Sequence, residues 1–194
     1  MADRPMEEAA ANGPERVPRT VVGYHGCTAE VARRVLAGEP MRVSSNAYDW
    51  LGAGVYFWEH APARASEWAV QRFGADAAVL AADLGLGHCL DLLDPGHFEG
   101  LRRAYEAFVE RARAEGLPLP ANRDKLHRLD RAVVEYYCHE YAALGGFPFD
   151  TVRGCFPEGP PVFEGSRILR ETHVQVAVRN PGAIRAVRLL PPER

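Results

Sequence analysis

Lysine is almost missing from this 194-residue chain, where Lys125 is the only one. Positive charge is therefore carried by Arg, whose planar guanidinium can hold phosphate or carboxylate through two parallel hydrogen bonds. A codon bias toward Arg would give the same composition. Excess positive charge is missing too, since the formal net charge is -3. That excludes a large nonspecific electrostatic grip on nucleic acid, which needs many Lys or Arg contacts to phosphate, and leaves only a local basic patch open. No apolar run approaches the ~20 residues of a membrane span, and the opening MADRPMEEAAANGPER lacks the apolar stretch of a signal peptide. A cytoplasmic protein without a membrane partner is expected. The four cysteines, Cys27, Cys89, Cys138 and Cys155, are scattered without the CxxC pairs of a zinc or redox site, so reduced thiols and no metal are expected.

What is present is an ordinary globular composition, with 47% hydrophobic and 25% charged residues, enough for one domain with a sizeable core and a nucleotide-sized cleft. Residues 1–18, rich in Ala, Glu, Pro and Arg without apolar periodicity, read as a disordered arm, and residues 19–194 as a single domain. VVGYHG reads as a strand, and Thr28 as the N-cap of a helix carrying Val31, Val35 and Leu36. SSNAYDWLGAG reads as a loop entering a strand at Gly54 to Trp58. Pro62 then fits the first turn of a helix running to Phe73. AAVLAADL and CLDLLD are consistent with strands, and residues 97–115 and 129–144 with amphipathic helices. FDTVRGCF, HVQVAVRN and AIRAVRLL alternate and are rich in β-branched residues, with a turn at Asn180, Pro181 and Gly182, so they suggest an antiparallel sheet.

Three separated pieces stand out together: GYHGCT at 23–28, LGAGVYFWE at 51–59 and ETHVQVAVRN at 171–180. In order and strand context they resemble the motifs of the His-Tyr-Glu class of the ADP-ribosyltransferase superfamily, the diphtheria toxin and poly(ADP-ribose) polymerase-like class. The resemblance spans about residues 21–190. It implies an α+β fold, a split antiparallel β-sandwich of two small sheets around a cleft with flanking helices. It also implies NAD as substrate, with no metal, and transfer of one ADP-ribose to a macromolecular acceptor, protein, DNA or RNA. A toxin or phage-defence effector of this kind would have an antitoxin as a further partner.

The resemblance assigns roles residue by residue. His25 would hydrogen-bond a ribose hydroxyl of the adenosine side. Gly26 would clamp the nicotinamide carboxamide with its own N–H and C=O, since glycine lets backbone approach a ligand closely. Tyr56 would stack on the nicotinamide ring, with Trp68 on the other face, and two rings around a cationic ring gain about 0.5–2 kcal/mol. Cys27, Thr28, Ser45, Asn46, Tyr48 and Gly54 complete the expected NAD contacts. The family's glutamate falls on Gln175, whose neutral amide can accept from a ribose hydroxyl but lacks a carboxylate's charge for the oxocarbenium-like transition state. This favours transfer of a single unit, leaves an NAD glycohydrolase or a noncatalytic NAD or ADP-ribose binder as alternatives, and raises Glu158, Glu164 and Glu171 as substitute carboxylates. Arg153, Glu158, Glu164 and His173 are the candidates for the acceptor side.

Plainer readings stand beside several of these. Arg153 can be a salt-bridge partner and His173 a satisfied strand histidine. Asn46 and Asp49 can make turn hydrogen bonds while Tyr48 and Trp50 pack on the core. Competing motifs are incomplete: the GxGxxG pattern begun at Gly52 has Phe57 where its last glycine belongs, and HEYAA has Ala143 where a zinc protease helix needs its second histidine.

Overall fold

A computed structural model describes residues 19–46, 49–123 and 126–191. The arm, Tyr48 and Lys125 lie outside them. Strand β1, Thr20–Thr28, runs on through Gly26 instead of ending there. Thr28 then caps helix α1, Ala29–Leu36, its hydroxyl accepting from Val31 N–H, as the spacing anticipates. Strand β2 is Val55–Glu59, and helix α2, Pro62–Phe73, starts on the proline whose fixed φ and missing N–H suit a first turn. Strands β3, Ala77–Gly85, and β4, Cys89–Asp91, precede helix α3, Phe98–Ala114. A small hairpin of β5, Asn122–Arg123, and β6, Leu126–His127, leads into helix α4, Arg128–Ala143. Strands β7, Thr151–Phe156, β8, His173–Val178, and β9, Ile184–Leu189, finish the chain.

The fold is α+β, with one seven-stranded mixed sheet in the order β4-β7-β8-β2-β1-β3-β9. Two features differ from a pair of separate antiparallel sheets. First, β4 and β7 are parallel. Parallel neighbours need a long crossover between them, and α3 and α4 supply it. Second, the halves remain joined, but by a seam of only two register pairs, Gly23↔Glu59 and Tyr24↔Trp58, where β1 and β3 pair along all nine residues.

Directly opposed residues share a face of a sheet, so Tyr24, Gly26, Tyr56, Trp58 and Gln175 lie on one side by register. On that side α2 covers Trp58 through Ala65 and Ala69, while α4 and Leu51 cover Ala177 and Val152 with Tyr56 packed against them. The opposite face buries Val55, Phe57, Leu84, Val176 and Val178 in one cluster and Cys27 and Leu80 with Ala32 of α1 in another. Among the described residues no helix is long and apolar enough to cross a membrane.

Candidate functional site

The seam between β1 and β2 has a definite hydrogen-bonding parity. In an antiparallel pair, successive residues turn their N–H and C=O to alternate edges. The Val22 carbonyl accepts from His60 N–H at 2.9 Å, so even-numbered residues of β1 face β2. Val79, the β3 partner of Gly26, turns its carbonyl away to Leu190 N–H, also 2.9 Å, which fixes the same parity independently. Continuing the register, Gly26 would next exchange bonds with Tyr56. Instead the Tyr56 carbonyl accepts from the His25 ring, with Nδ1 at 2.8 Å. The imidazole thus occupies the carbonyl that would close the sheet, and Gly26 directs its N–H and C=O into the opening beyond the last register pair.

A carbonyl only accepts, so Nδ1 carries the His25 proton and Nε2 is an open acceptor. Burial lowers the pKa of the ring, with the Tyr56 carbonyl opposing, and the ring is neutral at pH 7. His25 and Tyr56 do not meet side chain to side chain. His25 lies against Phe57, with ring centroids 5.6 Å apart, whereas the Tyr56 phenol lies under the 49–54 loop and donates to the Gly52 carbonyl at 2.7 Å. Burial, reinforced by Asp49, raises the pKa of that phenol far above its ordinary value, which leaves Tyr56 a donor and stacking surface with no acid or base role.

Gly26 has a packing reason to be glycine. A Cβ there would sit 2.9 Å from the Trp68 ring and 3.0 Å from the Ala65 carbonyl, so only glycine lets α2 and Trp68 lie directly over this part of β1. Trp68 also meets Trp58, with centroids 5.5 Å apart. The Trp58 indole N–H is buried and has no hydrogen-bond partner among the described residues, an orphaned donor on the same face as Tyr56. Period-two alternation from Tyr56 points to Trp58, so the sequence held that signal.

Gln175 lies opposite Trp58 on β8, half-buried, and its amide nitrogen is 2.8 Å from His173 Nε2. His173 is buried, stacked on Phe156 and bonded through Nδ1 to the Glu171 carbonyl at 2.6 Å. It is a satisfied strand histidine, and with both ring nitrogens engaged it does not reach outward to an acceptor. The Glu158 and Glu171 carboxylates lie 3.7 and 3.3 Å from Arg64 of α2, which also pairs with Glu67, while Glu164 is exposed in the connection from β7 to β8. Sequence reasoning missed Arg64, although its three-residue spacing to Glu67 on a helix is a readable pair.

Several expected contacts are corrected. Cys27 points into the core with Ala32 and Leu80, and burial pushes its thiol up to about 11. Its odd position also turns its backbone toward β3, away from the seam. Thr28 spends its hydroxyl on the α1 cap. Gly54 pairs with Ser44, and a Cβ on it would come within 3.0 Å of the Val178 carbonyl, so its missing side chain serves the contact with β8. In the loop, buried Asp49 accepts from the Ser44 hydroxyl at 2.7 Å and from Asn46 N–H, and the Asn46 amide reaches the Ser44 hydroxyl. Asn46 and Asp49 therefore hold the turn, and Ser45 is exposed. Trp50 packs away from the seam, stacked on His127 and edge-on to Phe156.

Arg153 is corrected as well. Its guanidinium grips Glu59 at 2.6 and 2.7 Å and Asp91 at 3.1 and 3.2 Å, and Asp91 also takes Arg19. All three guanidinium nitrogens are engaged, so Arg153 braces β2, β4 and β7 and has no free face for an acceptor. Partners 94 residues apart in the chain leave no local signal. An apolar groove of about 530 Å³ lies between α1, α2 and the end of β9 and is lined by none of His25, Gly26, Tyr56 and Gln175. Among the described residues no His, Cys, Asp and Glu group is arranged to hold a metal ion. No family model matches the chain, and no curated protein matches it in sequence.

Proposed function

We propose that this chain is a mono-ADP-ribosyltransferase of the His-Tyr-Glu class, cleaving NAD and passing ADP-ribose to a macromolecular acceptor. The observation that carries the reading is the open seam. His25 takes the Tyr56 carbonyl, and this leaves the N–H and C=O of Gly26 side by side on a strand edge, the complement of a primary carboxamide. Gly26 would accept from the nicotinamide amide and donate to its oxygen, with Tyr56 and Trp68 providing aromatic surface for the ring. The open Nε2 of His25 would accept from a ribose hydroxyl. Gln175 would accept from the hydroxyl of the reacting ribose through its amide oxygen, placing the negative end of a dipole beside the carbon where positive charge develops. The bond from ribose to nicotinamide breaks with its electron pair leaving on nicotinamide, which departs neutral. A nucleophilic oxygen or nitrogen of the acceptor bonds to that carbon from the opposite face and loses its proton.

A second reading, a noncatalytic NAD or ADP-ribose binder, is favoured by one observation, the neutral Gln175 in the place of a carboxylate. Incubating the protein with labelled NAD and separate pools of protein, DNA and RNA decides between them, with His25→Ala as control. Label is expected on one pool, together with free nicotinamide, and neither with the variant. Nicotinamide without labelled macromolecule makes the protein a glycohydrolase. NAD binding by calorimetry without any nicotinamide overturns the catalytic reading.

A further inference from the structure

His173 and Gln175 are two residues apart on β8 and share a face, and their side chains meet nitrogen to nitrogen at 2.8 Å. Such a contact needs one donor and one acceptor, and an amide NH2 only donates. His173 Nε2 is therefore the acceptor, which requires the ring proton on Nδ1. Nδ1 lies 2.6 Å from the Glu171 carbonyl, which only accepts. The two contacts demand the same tautomer. The ring is held there by stacking on Phe156, with centroids 5.2 Å apart and planes within 13°, and is flanked by Trp58, tilted against it with centroids 6.2 Å apart.

An amide gripped by its nitrogen shows its oxygen on the other side. We infer that His173 is a positioning residue that fixes the Gln175 amide so that Oε1, and not the NH2, is presented to the substrate. What that oxygen accepts from, a ribose hydroxyl, rests on the proposed function. Orientation matters because a reversed amide would turn the positive end of its dipole toward a centre gaining positive charge. The charged groups around the ring are Glu158 and Glu171, which favour its protonation, and Arg64, which opposes it; burial outweighs them and keeps the ring neutral near pH 7.

The test has two arms. In the kinetic arm, His173→Phe keeps the stacked ring and removes the acceptor, while His173→Gln restores one. The phenylalanine variant is expected to lower kcat about tenfold with KM for NAD within about twofold, and the glutamine variant to recover most of the loss. In a Gln175→Glu background the two carboxylate oxygens are equivalent, so His173→Phe should then cost nothing. An unchanged kcat, or an equal loss in both backgrounds, overturns the inference. The second arm reads no activity. Long-range nitrogen–proton NMR on the wild-type protein should show His173 neutral with its proton on Nδ1, and Gln175→Glu should raise the His173 pKa by replacing a donor with a negative acceptor. A proton on Nε2, or a pKa that does not move, overturns the inference even if His173→Phe fails to fold. If the wild type never releases nicotinamide, the functional reading fails while the NMR arm still decides the His173–Gln175 contact.

Discussion

An imidazole that donates from Nδ1 to a backbone carbonyl has one lone pair left, and both His25 and His173 are in this state. Protonation would convert that lone pair to a second donor: His25 would lose its open acceptor, and His173 would repel the Gln175 amide nitrogen and draw its oxygen inward. Burial holds both pKa values below the ordinary 6.5, so acid titrates the unfolded chain first. Stability fully present above pH 6.5 is therefore lost as pH falls through the folded-state values, because the unfolded state binds more protons there. Urea midpoints measured from pH 7.5 to 5 should fall below about pH 6.5, and the fall should be shallower in His25→Gln, which removes one of the rings that burial holds below that value, His97 being another. NAD cleavage should decline over the same interval. A midpoint that rises on acidification would mean that these rings are stabilised as cations, which neither set of hydrogen bonds allows.

At the scale of elements, the 49–54 loop depends on one ion pair. Glu135 of α4 holds Arg179, at the end of β8, through contacts of 3.0 and 3.1 Å, and the same carboxylate accepts from Ala53 N–H. Gly52, at φ +86°, brings the backbone so close that a Cβ would lie 2.6 Å from Glu135 Oε1. Glu135→Ala leaves a half-buried guanidinium with only the Ala53 carbonyl, at 3.3 Å, to receive it and a backbone donor unpaired, and should cost about 2–4 kcal/mol in denaturant unfolding. Because the Gly52 carbonyl receives the Tyr56 hydroxyl, the variant should also loosen the phenol, seen as broadened Tyr56 ring signals. This loop also shows where sequence reading stops. Local rules carry far: the Thr28 cap, Pro62 at a helix start and the alternation of β7, β8 and β9 are all legible, because each is decided within a few residues. The parallel β4–β7 pair, the Glu135–Arg179 pair and the Arg153 brace depend on elements brought together by α3 and α4, and no spacing in the sequence encodes them. Asn46 and Asp49 are legible as turn formers, and their hydrogen bonds follow that plainer reading.

For the whole molecule, the question is what a sheet gains from a seam of two pairs in its middle. The cores on both faces bridge the halves, Val55, Phe57 and Val176 packing with Ala82 and Leu84 on one side and Trp58 with Val79 on the other, so the halves do not need further β1–β2 bonds to stay together, and the unpaired edge is left to a ligand or to water. His25 and Gly26 stand out in the sequence by their place in GYHGCT, but the parity that turns Gly26 into the seam and Cys27 away from it depends on the β1–β3 and β1–β2 registers and cannot be read along the chain. That parity gives a prediction free of any assumption about catalysis. In deuterium exchange resolved to single residues, the amides of His25 and Cys27 face β3 and should exchange slowly with or without NAD, whereas the Gly26 amide, between them, should exchange faster and slow markedly when NAD is added. Saturation at 100 times Kd should also stabilise the fold by about 2.7 kcal/mol, a melting shift on the order of 5–10 °C for a chain of this size. A Gly26 amide already as protected as its neighbours would mean that the seam is closed by backbone pairing. Protection appearing at His25 and Cys27, and not at Gly26, would place the ligand on the β3 side and remove the carboxamide clamp from the site.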